Sequence, residues 1–344
     1  MAIQKSVLSE QDIINLLKSR YEISAEKIHR LQLGSANCYK IIADSNAFFL
    51  KEYQDTFSEQ DIEREISLNE YLLSRSFPTA AFIADVSGNK YCFVNGRHLT
   101  LQEFIDGDSY AHHDLPDDIL LQSAEMLGKL HELLKDYDLP VEMDRSWTKN
   151  FSARKARAKY DDLLRMCEGL EDEAVGGKIR EDLLFRSDLL KIVEPYGKYF
   201  KKLTYKSTHG DFSALQYLCQ NGRIKAVIDF TSAKKLPAVW EITRSYLQSA
   251  TDTKDPFDFN EEKFCEYVRH YMQFSELSEW DLKYMPYAYL YQLARSRYGY
   301  KEYMTGAENA DELLSFAFWR TDVCRMLVER ADTISEKLIL LKRK

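Results

Sequence analysis

Glycine and proline are scarce, 13 and 7 residues in a chain of 344, which excludes collagen-like repeats and low-complexity linkers. No run of about 18 apolar residues occurs, so no transmembrane helix is expected. The opening stretch, MAIQKSVLSEQDIINLL, has no continuous apolar core and no small-residue cleavage site, so the expectation is a cytoplasmic protein with no membrane partner. Positive charge is in deficit: 47 Lys and Arg against 55 Asp and Glu leave a net charge of −8, and no overall attraction to nucleic acid follows. The cysteines, Cys38, Cys92, Cys167, Cys219, Cys265 and Cys324, form no CxxC pair and match no zinc spacing, so they read as free thiols in a reducing compartment. His112-His113 lacks a third ligand and reads as surface polar residues. GxSxG and GxxxxGK[ST] motifs are missing, as is any repeat of about 20–50 residues.

What is present is an ordinary globular composition, 45% apolar, 30% charged and 13% aromatic, in a chain long enough for about two domains at roughly 150 residues each. The first hundred residues are β-rich. Ser9 caps a helix to about Tyr21, whose Ile13, Ile14, Leu16 and Leu17 form an apolar stripe. Strand-like runs follow at Ile28–Leu33, Cys38–Ala43 and Ala47–Tyr53, with a turn at Asp44-Ser45-Asn46. Ser58-Glu59-Gln60-Asp61 opens a second helix that ends before Pro78. Three more strands are expected at Ala80–Ala84, Tyr91–Val94 and His98–Ile105, the last two joined by an Asn95-Gly96 hairpin turn. After Asp106-Gly107 the pattern turns helical, beginning with Pro116 to Leu134. Two short β-like runs, Tyr217–Cys219 and Ala226–Ile228, interrupt it, and helices resume from Trp240. The expected class is therefore α+β, with a small β-rich region over 1–105, a linker near 103–107 and a larger helical region over 106–344.

The informative segment is Ser207-Thr208-His209-Gly210-Asp211-Phe212-Ser213-Ala214-Leu215-Gln216. Asp211 is followed five residues later by the amide Gln216, and 18 residues later by Asp229 at the end of an apolar strand. Two carboxylates and an amide on strand-flanked loops suit Mg-nucleotide chemistry, because Mg²⁺ takes hard oxygen ligands, commonly one or two carboxylates plus phosphate oxygens. Phosphoryl transfer also needs a carboxylate to orient the attacking hydroxyl.

These residues resemble the aminoglycoside phosphotransferase and choline kinase-like superfamily, small-molecule kinases with a bilobal protein-kinase-like fold, a small β-rich N-lobe and a larger helical C-lobe. The family's loop of HGD, four residues and Asn maps onto His209-Gly210-Asp211 and position 216, and its metal strand onto Ile228-Asp229-Phe230. The resemblance implies that Asp211 is the catalytic base, that Asp229 and Gln216 are the Mg²⁺ ligands, and that ATP is the phosphoryl donor. It further implies that Lys51 holds the phosphates, paired with Glu65 rather than Glu63 or Glu70. Leu33-Gly34-Ser35-Ala36-Asn37 would be the phosphate-covering loop, with Gly34, Ser35 and Asn37 at the nucleotide, and the backbone of Glu103 and Ile105 would meet the adenine edge. Taken alone, Lys51 reads as a solvated strand lysine and Glu65 as an exposed helix charge. Glu241, where the family often has an Asp bracing the catalytic loop, is read as structural.

The implied activity is ATP-dependent phosphorylation of a hydroxyl on a small molecule: an aminoglycoside, an amino alcohol, homoserine or a sugar-like compound. Protein substrates are disfavoured, because no activation segment follows Asp229-Phe230 and Thr231 replaces the glycine of DFG. The tyrosines Tyr284, Tyr287, Tyr289, Tyr291, Tyr298, Tyr300 and Tyr303, mixed with Arg295 and Arg297, read as a helical core or as a substrate wall. One departure stands out. Position 216 is Gln where the family has Asn, which moves the amide oxygen one methylene outward. It motivates the competing reading, a catalytically impaired, pseudokinase-like nucleotide-binding scaffold of the spore-coat type.

Overall fold

In a computed structural model, which describes residues 4–31, 36–137, 139, 152–307 and 309–342, the chain divides into two compact units. The first is Met1–Ser109 with Gln216–Ala233, and the second is Tyr110–Leu215 with Lys234–Lys344. Gly34 and Ser35 lie outside the described residues.

The first unit is built on an antiparallel sheet of order β1-β2-β3-β5-β4, formed by β1 (Lys27–Leu31), β2 (Asn37–Ala43), β3 (Asn46–Glu52), β4 (Tyr91–Val94) and β5 (Arg97–Glu103). Side chains alternate across a strand, so each strand serves two faces. Tyr39, Leu50 and Leu101 are cross-strand partners, and they form one core with Ile13, Leu16 and Leu17 of helix α1 (Glu10–Tyr21). One residue along, Cys38, Lys51 and Thr100 are partners in the same register, and by the alternation they belong to the other face. Helix α2 (Glu59–Ser74) starts at a reciprocal cap: the Ser58 hydroxyl accepts from the Asp61 N–H and the Asp61 carboxylate accepts from the Ser58 N–H. Its Ile62 and Ile66 pack with Tyr53 and Phe82. The expected strand at Ala80–Ala84 is reduced to an isolated bridge, Phe82 with Gln102. The chain returns to this unit with β7 (Tyr217–Gln220) and β8 (Arg223–Val227), a two-stranded hairpin. Val227 N–H donates to Pro78 O at 3.0 Å, and Asp108 and Cys219 exchange two backbone bonds.

The second unit is helical: α3 (Asp117–Leu133), α4 (Ala153–Cys167), α5 (Glu173–Val193), α6 (Gly197–Phe200), α7 (Ala238–Ser249), α8 (Glu261–Met272), α9 (Glu279–Ala294), α10 (Tyr300–Met304) and α11 (Ala310–Ile339). One small pair of strands, β6 (Tyr205–Thr208) and β9 (Lys234–Pro237), is antiparallel and was not expected from the sequence. At four residues each, with lysines in both, these strands offer no alternation long enough to detect. The C-terminal tyrosines divide: Tyr289, Tyr291 and Tyr300 are buried core, and Tyr298 is exposed. His112 and His113, expected on the surface, are half-buried, because the His112 ring stacks on Phe316 at 5.6 Å and His113 packs on Trp319 at 4.7 Å. No described helix is long and apolar enough to cross a membrane.

The helices α3 and α8 approach at Gly128, where an added Cβ would sit 2.6 Å from Tyr271 O and 3.1 Å from Phe274 Cβ. Gly128→Ala is expected to lower stability by roughly 1–2 kcal/mol, since overpacking of about 1–3 kcal/mol exceeds the gain in helix propensity of about 1 kcal/mol. Chemical denaturation measures it, and a stabilised variant would show that the two helices can separate freely.

Candidate active site

In the first unit, Lys51 sits next to the end of β3 and is only 6% exposed. Its ammonium lies 3.3 Å from Glu65 Oε1 and 2.9 Å from Asp229 Oδ1. Glu65 reaches it because Ile62, Glu65, Ile66 and Asn69 share the buried face of α2, the i, i+3, i+4, i+7 pattern of one helix stripe. Glu63 and Glu70 serve elsewhere: Glu63 accepts from the Tyr91 hydroxyl and Glu70 pairs with Lys90. Tyr53, two residues after Lys51, donates its hydroxyl to Glu65 Oε2 at 2.7 Å, and its ring lies 4.7 Å below the Lys51 ammonium. Burial alone would push the Lys51 pKa down; Asp229 and Glu65 outweigh it and hold the pKa well above the ordinary lysine value. Burial raises the Glu65 carboxyl pKa, with Lys51 opposing it.

Asp229 follows β8 in the left-handed region, φ +63°, which Asp tolerates better than most residues. The Thr231 hydroxyl donates to its Oδ1 at 2.7 Å. Ile228 N–H donates to Gln216 O at 3.1 Å, which ties the chain beside Asp229 to the chain at Gln216. No group of three or more His, Cys, Asp or Glu side chains able to hold a metal occurs among the described residues. A carboxylate and an amide fit Mg²⁺, which takes few protein ligands when phosphate oxygens complete its shell.

The remaining nucleotide expectations fare unevenly. The Asn37 side chain is 2% exposed and engaged at both ends, donating to Gln4 O and accepting from Arg30, each at 3.0 Å. As placed, it is not available to a phosphate. Glu103 ends β5 with its N–H donating to Ala81 O at 2.9 Å, so of its backbone groups the carbonyl is the one left for an adenine. Ile105 lies just past the strand and is half-buried.

The second unit holds His209, Gly210 and Asp211. The loop is braced by Glu241 of α7, fully buried, whose carboxylate accepts the His209 N–H at 3.2 Å, the Gly210 N–H and His131 Nε2 at 2.8 Å. Gly210 has φ +81°, a conformation glycine takes at no steric cost. His131 Nδ1 in turn meets the Tyr271 hydroxyl at 2.8 Å. With burial holding the imidazole neutral, this array has Nε2–H donating to Glu241 and Nδ1 accepting from Tyr271. Burial would raise the Glu241 carboxyl pKa; the hydrogen bonds from His131 and Gly210 outweigh it and hold it below the ordinary value.

Asp211 is half-buried and paired with Arg244. Sequence reasoning passed over Arg244, although its spacing was available: Glu241 and Arg244 are three residues apart on α7, so one helix face carries both the loop brace and the Asp211 partner. His131 and Tyr53 were also missed, and a single histidine or tyrosine in a helix or strand pattern carries no signal of its own.

A family model described as phosphotransferase enzyme family, APH, matches residues 27–264. No curated protein matches the sequence. Among solved structures, the chain is similar to an amicoumacin kinase in complex with AMP-PNP and Ca²⁺ (16% identity, covering 92% of this chain and 94% of that one, TM-score 0.64). It is also similar to a spectinomycin phosphotransferase in complex with ADP and spectinomycin (15%, 96% and 100%, 0.66), and to a choline kinase from Cryptosporidium parvum (16%, 94% and 97%, 0.61). Likenesses at this level of identity establish the fold. It is the bilobal, protein-kinase-like α+β fold, with the five-stranded sheet in one unit and most of the helices in the other.

Burial also lowers the pKa values of His112, His113 and His131 from the ordinary 6.5, that of His113 to about 4. The unfolded chain therefore takes up protons near pH 6.5 that the folded chain refuses until lower pH. The contribution of these histidines to stability is fully present above 6.5 and is lost as the pH falls toward 4. The thermal midpoint is expected to drop across this window, and less steeply in His113→Asn, whose asparagine suits the φ of +63° at this position. Identical slopes for the two proteins would contradict a His113 held neutral by burial.

Proposed function

The chain belongs to the phosphotransferase enzyme family, whose members are small-molecule kinases, and on that premise we propose that it transfers the γ-phosphoryl group of ATP to a hydroxyl of a small molecule. The observation that carries the proposal is the Lys51 ammonium, buried between Glu65 and Asp229. Desolvating three charged groups is costly, and a solvated strand lysine would not need them. A fixed cation beside a part-exposed carboxylate matches what triphosphate and Mg²⁺ require.

In this reading Lys51 holds nucleotide phosphate oxygens, with Glu65 and Tyr53 fixing its position. Asp229 and Gln216 hold Mg²⁺, which spreads the charge that develops on the transferring group when it is bound. Asp211 orients the acceptor hydroxyl and takes its proton. Glu241 and His131 keep the Asp211 loop in one conformation, so little reorganisation is left for the chemical step. The backbone carbonyl of Glu103 and the backbone of Ile105 are the proposed adenine contacts. The acceptor classes are those of hydroxyl-bearing small molecules: aminoglycosides, amino alcohols, homoserine and sugar-like compounds.

Mg-ATP is expected to raise the thermal midpoint, since a ligand of the native state stabilises it, and Lys51→Ala to weaken that shift. Millimolar Mg-ATP without a shift or calorimetric heat would remove the nucleotide-binding reading. With an acceptor in hand, Asp211→Asn should leave ATP affinity nearly unchanged and reduce kcat by roughly 10²–10⁴, the scale of a lost general base. Wild-type turnover in that variant would take Asp211 out of the reaction. Gln216→Asn is expected to keep or raise turnover. ATP binding without turnover on every acceptor, in both wild type and Gln216→Asn, would point instead to a nucleotide-binding scaffold.

A further inference from the structure

The second unit contains a cavity of about 260 Å³ lined by Trp240, Arg244, Gln248, Tyr289, Gln292, Ser296, Tyr298, Phe316 and Arg320. Two arginines line it and no aspartate or glutamate does. Arg244 turns one nitrogen, Nη2, to Asp211, while its Nη1 is buried with no hydrogen-bond partner. Arg320, on α11, is 7% exposed and makes no ion pair with a described residue. Its guanidinium stands over the Phe316 ring, 5.6 Å from the centroid. The Oε1 of Gln248, in a residue 3% exposed, is also buried without a partner.

A guanidinium withdrawn from water with no carboxylate beside it is costly, and the cost is met when a ligand supplies the counter-charge. A polyamine or a quaternary ammonium would add like charge beside Arg320, while Arg244 already has Asp211; an oxyanion would complete Arg320, and guanidinium is the side chain suited to bidentate contact with carboxylate or phosphate. Tyr298, Phe316 and Trp240 offer ring surface to a carbon skeleton, and Gln292 and Ser296 offer groups for hydroxyls. The volume suits a compact molecule, just under the roughly 300–1,000 Å³ of drug-sized sites.

We propose that this cavity is the acceptor site and that the acceptor is a small hydroxylated oxyanion, a hydroxy acid or a phosphate-bearing polyol, held by Arg320 close to the Arg244–Asp211 pair. The inference rests on the phosphotransferase reading above and narrows its acceptor from any hydroxyl compound to an anionic one, against the cationic aminoglycosides and amino alcohols.

The test is calorimetric titration of the full chain with glycerate and gluconate as carboxylates, glycerol 3-phosphate as the phosphate, sulfate as the bare oxyanion, and choline and kanamycin as the cations. At least one oxyanion is expected to bind, and the arm that binds most tightly separates carboxylate from phosphate. Arg320→Met should weaken that binding by about tenfold to a hundredfold, the worth of a charge-assisted bond, and Arg320→Lys should restore part of it. Mg-ATP titration of the same variants reports folding separately. Binding of choline or kanamycin that is indifferent to Arg320→Met, or no oxyanion binding in a protein that binds Mg-ATP, would overturn the inference and leave the kinase reading intact. Oxyanion binding without any Mg-ATP binding would keep the cavity and remove the kinase reading.

Discussion

The interaction on which the first unit depends is the Lys51 ammonium held between two carboxylates. An ammonium cannot leave water unless something of opposite charge meets it, and two carboxylates cannot approach each other unless a cation lies between. Each therefore requires the others, and the chain must deliver them from three places: next to the end of β3, the buried face of α2 and the second residue after β8. The sheet register, the α2 cap and the hairpin at Gln216–Ala233 all serve this convergence. Tyr53 completes it by occupying the second oxygen of Glu65, so that the carboxylate is held at both ends.

The second unit repeats the principle with a different buried charge. Glu241 has no Lys or Arg partner among the described residues; three donors, two of them main-chain N–H groups, take its charge. That arrangement couples a loop to a helix, because the N–H groups of His209 and Gly210 point at the carboxylate only in one backbone conformation. His131 relays the constraint to Tyr271 of α8. The same turn of α7 then presents Arg244 to Asp211. The loop bearing the proposed catalytic carboxylate is thus positioned by buried hydrogen bonds rather than by its own sequence preference.

The cavity beside this loop carries unbalanced positive charge in a chain whose net charge is negative. Overall composition and local field are separate quantities: most described acidic residues are exposed or half-buried, while Arg186 and Arg320 are withdrawn from water. A net charge of −8 therefore says nothing about what a pocket attracts.

Much was legible beforehand. Alternation in Ala47–Tyr53, the Ser58–Asp61 cap, the Asn95-Gly96 turn and the stripe of α3 are local patterns set by strand and helix periodicity, and the structure has each of these elements within a few residues. The spacing of His209-Gly210-Asp211, Gln216 and Asp229 carried the family. Where local pattern was weak, it failed: Ala80–Ala84 is a single bridge, β6 and β9 went unseen, and His112-His113 is packed on aromatic rings. What the sequence by itself determined was which residues alternate, cap and turn, because those preferences act over a few residues. What only the tertiary structure decided was which polar groups meet: that Tyr53 takes the second oxygen of Glu65, that Arg244 takes Asp211, and that Arg320 faces a cavity with no ion pair to a described residue. Those pairings depend on helix rotation and burial between segments far apart in the chain, and desolvation, which has no local signature, sets their strength.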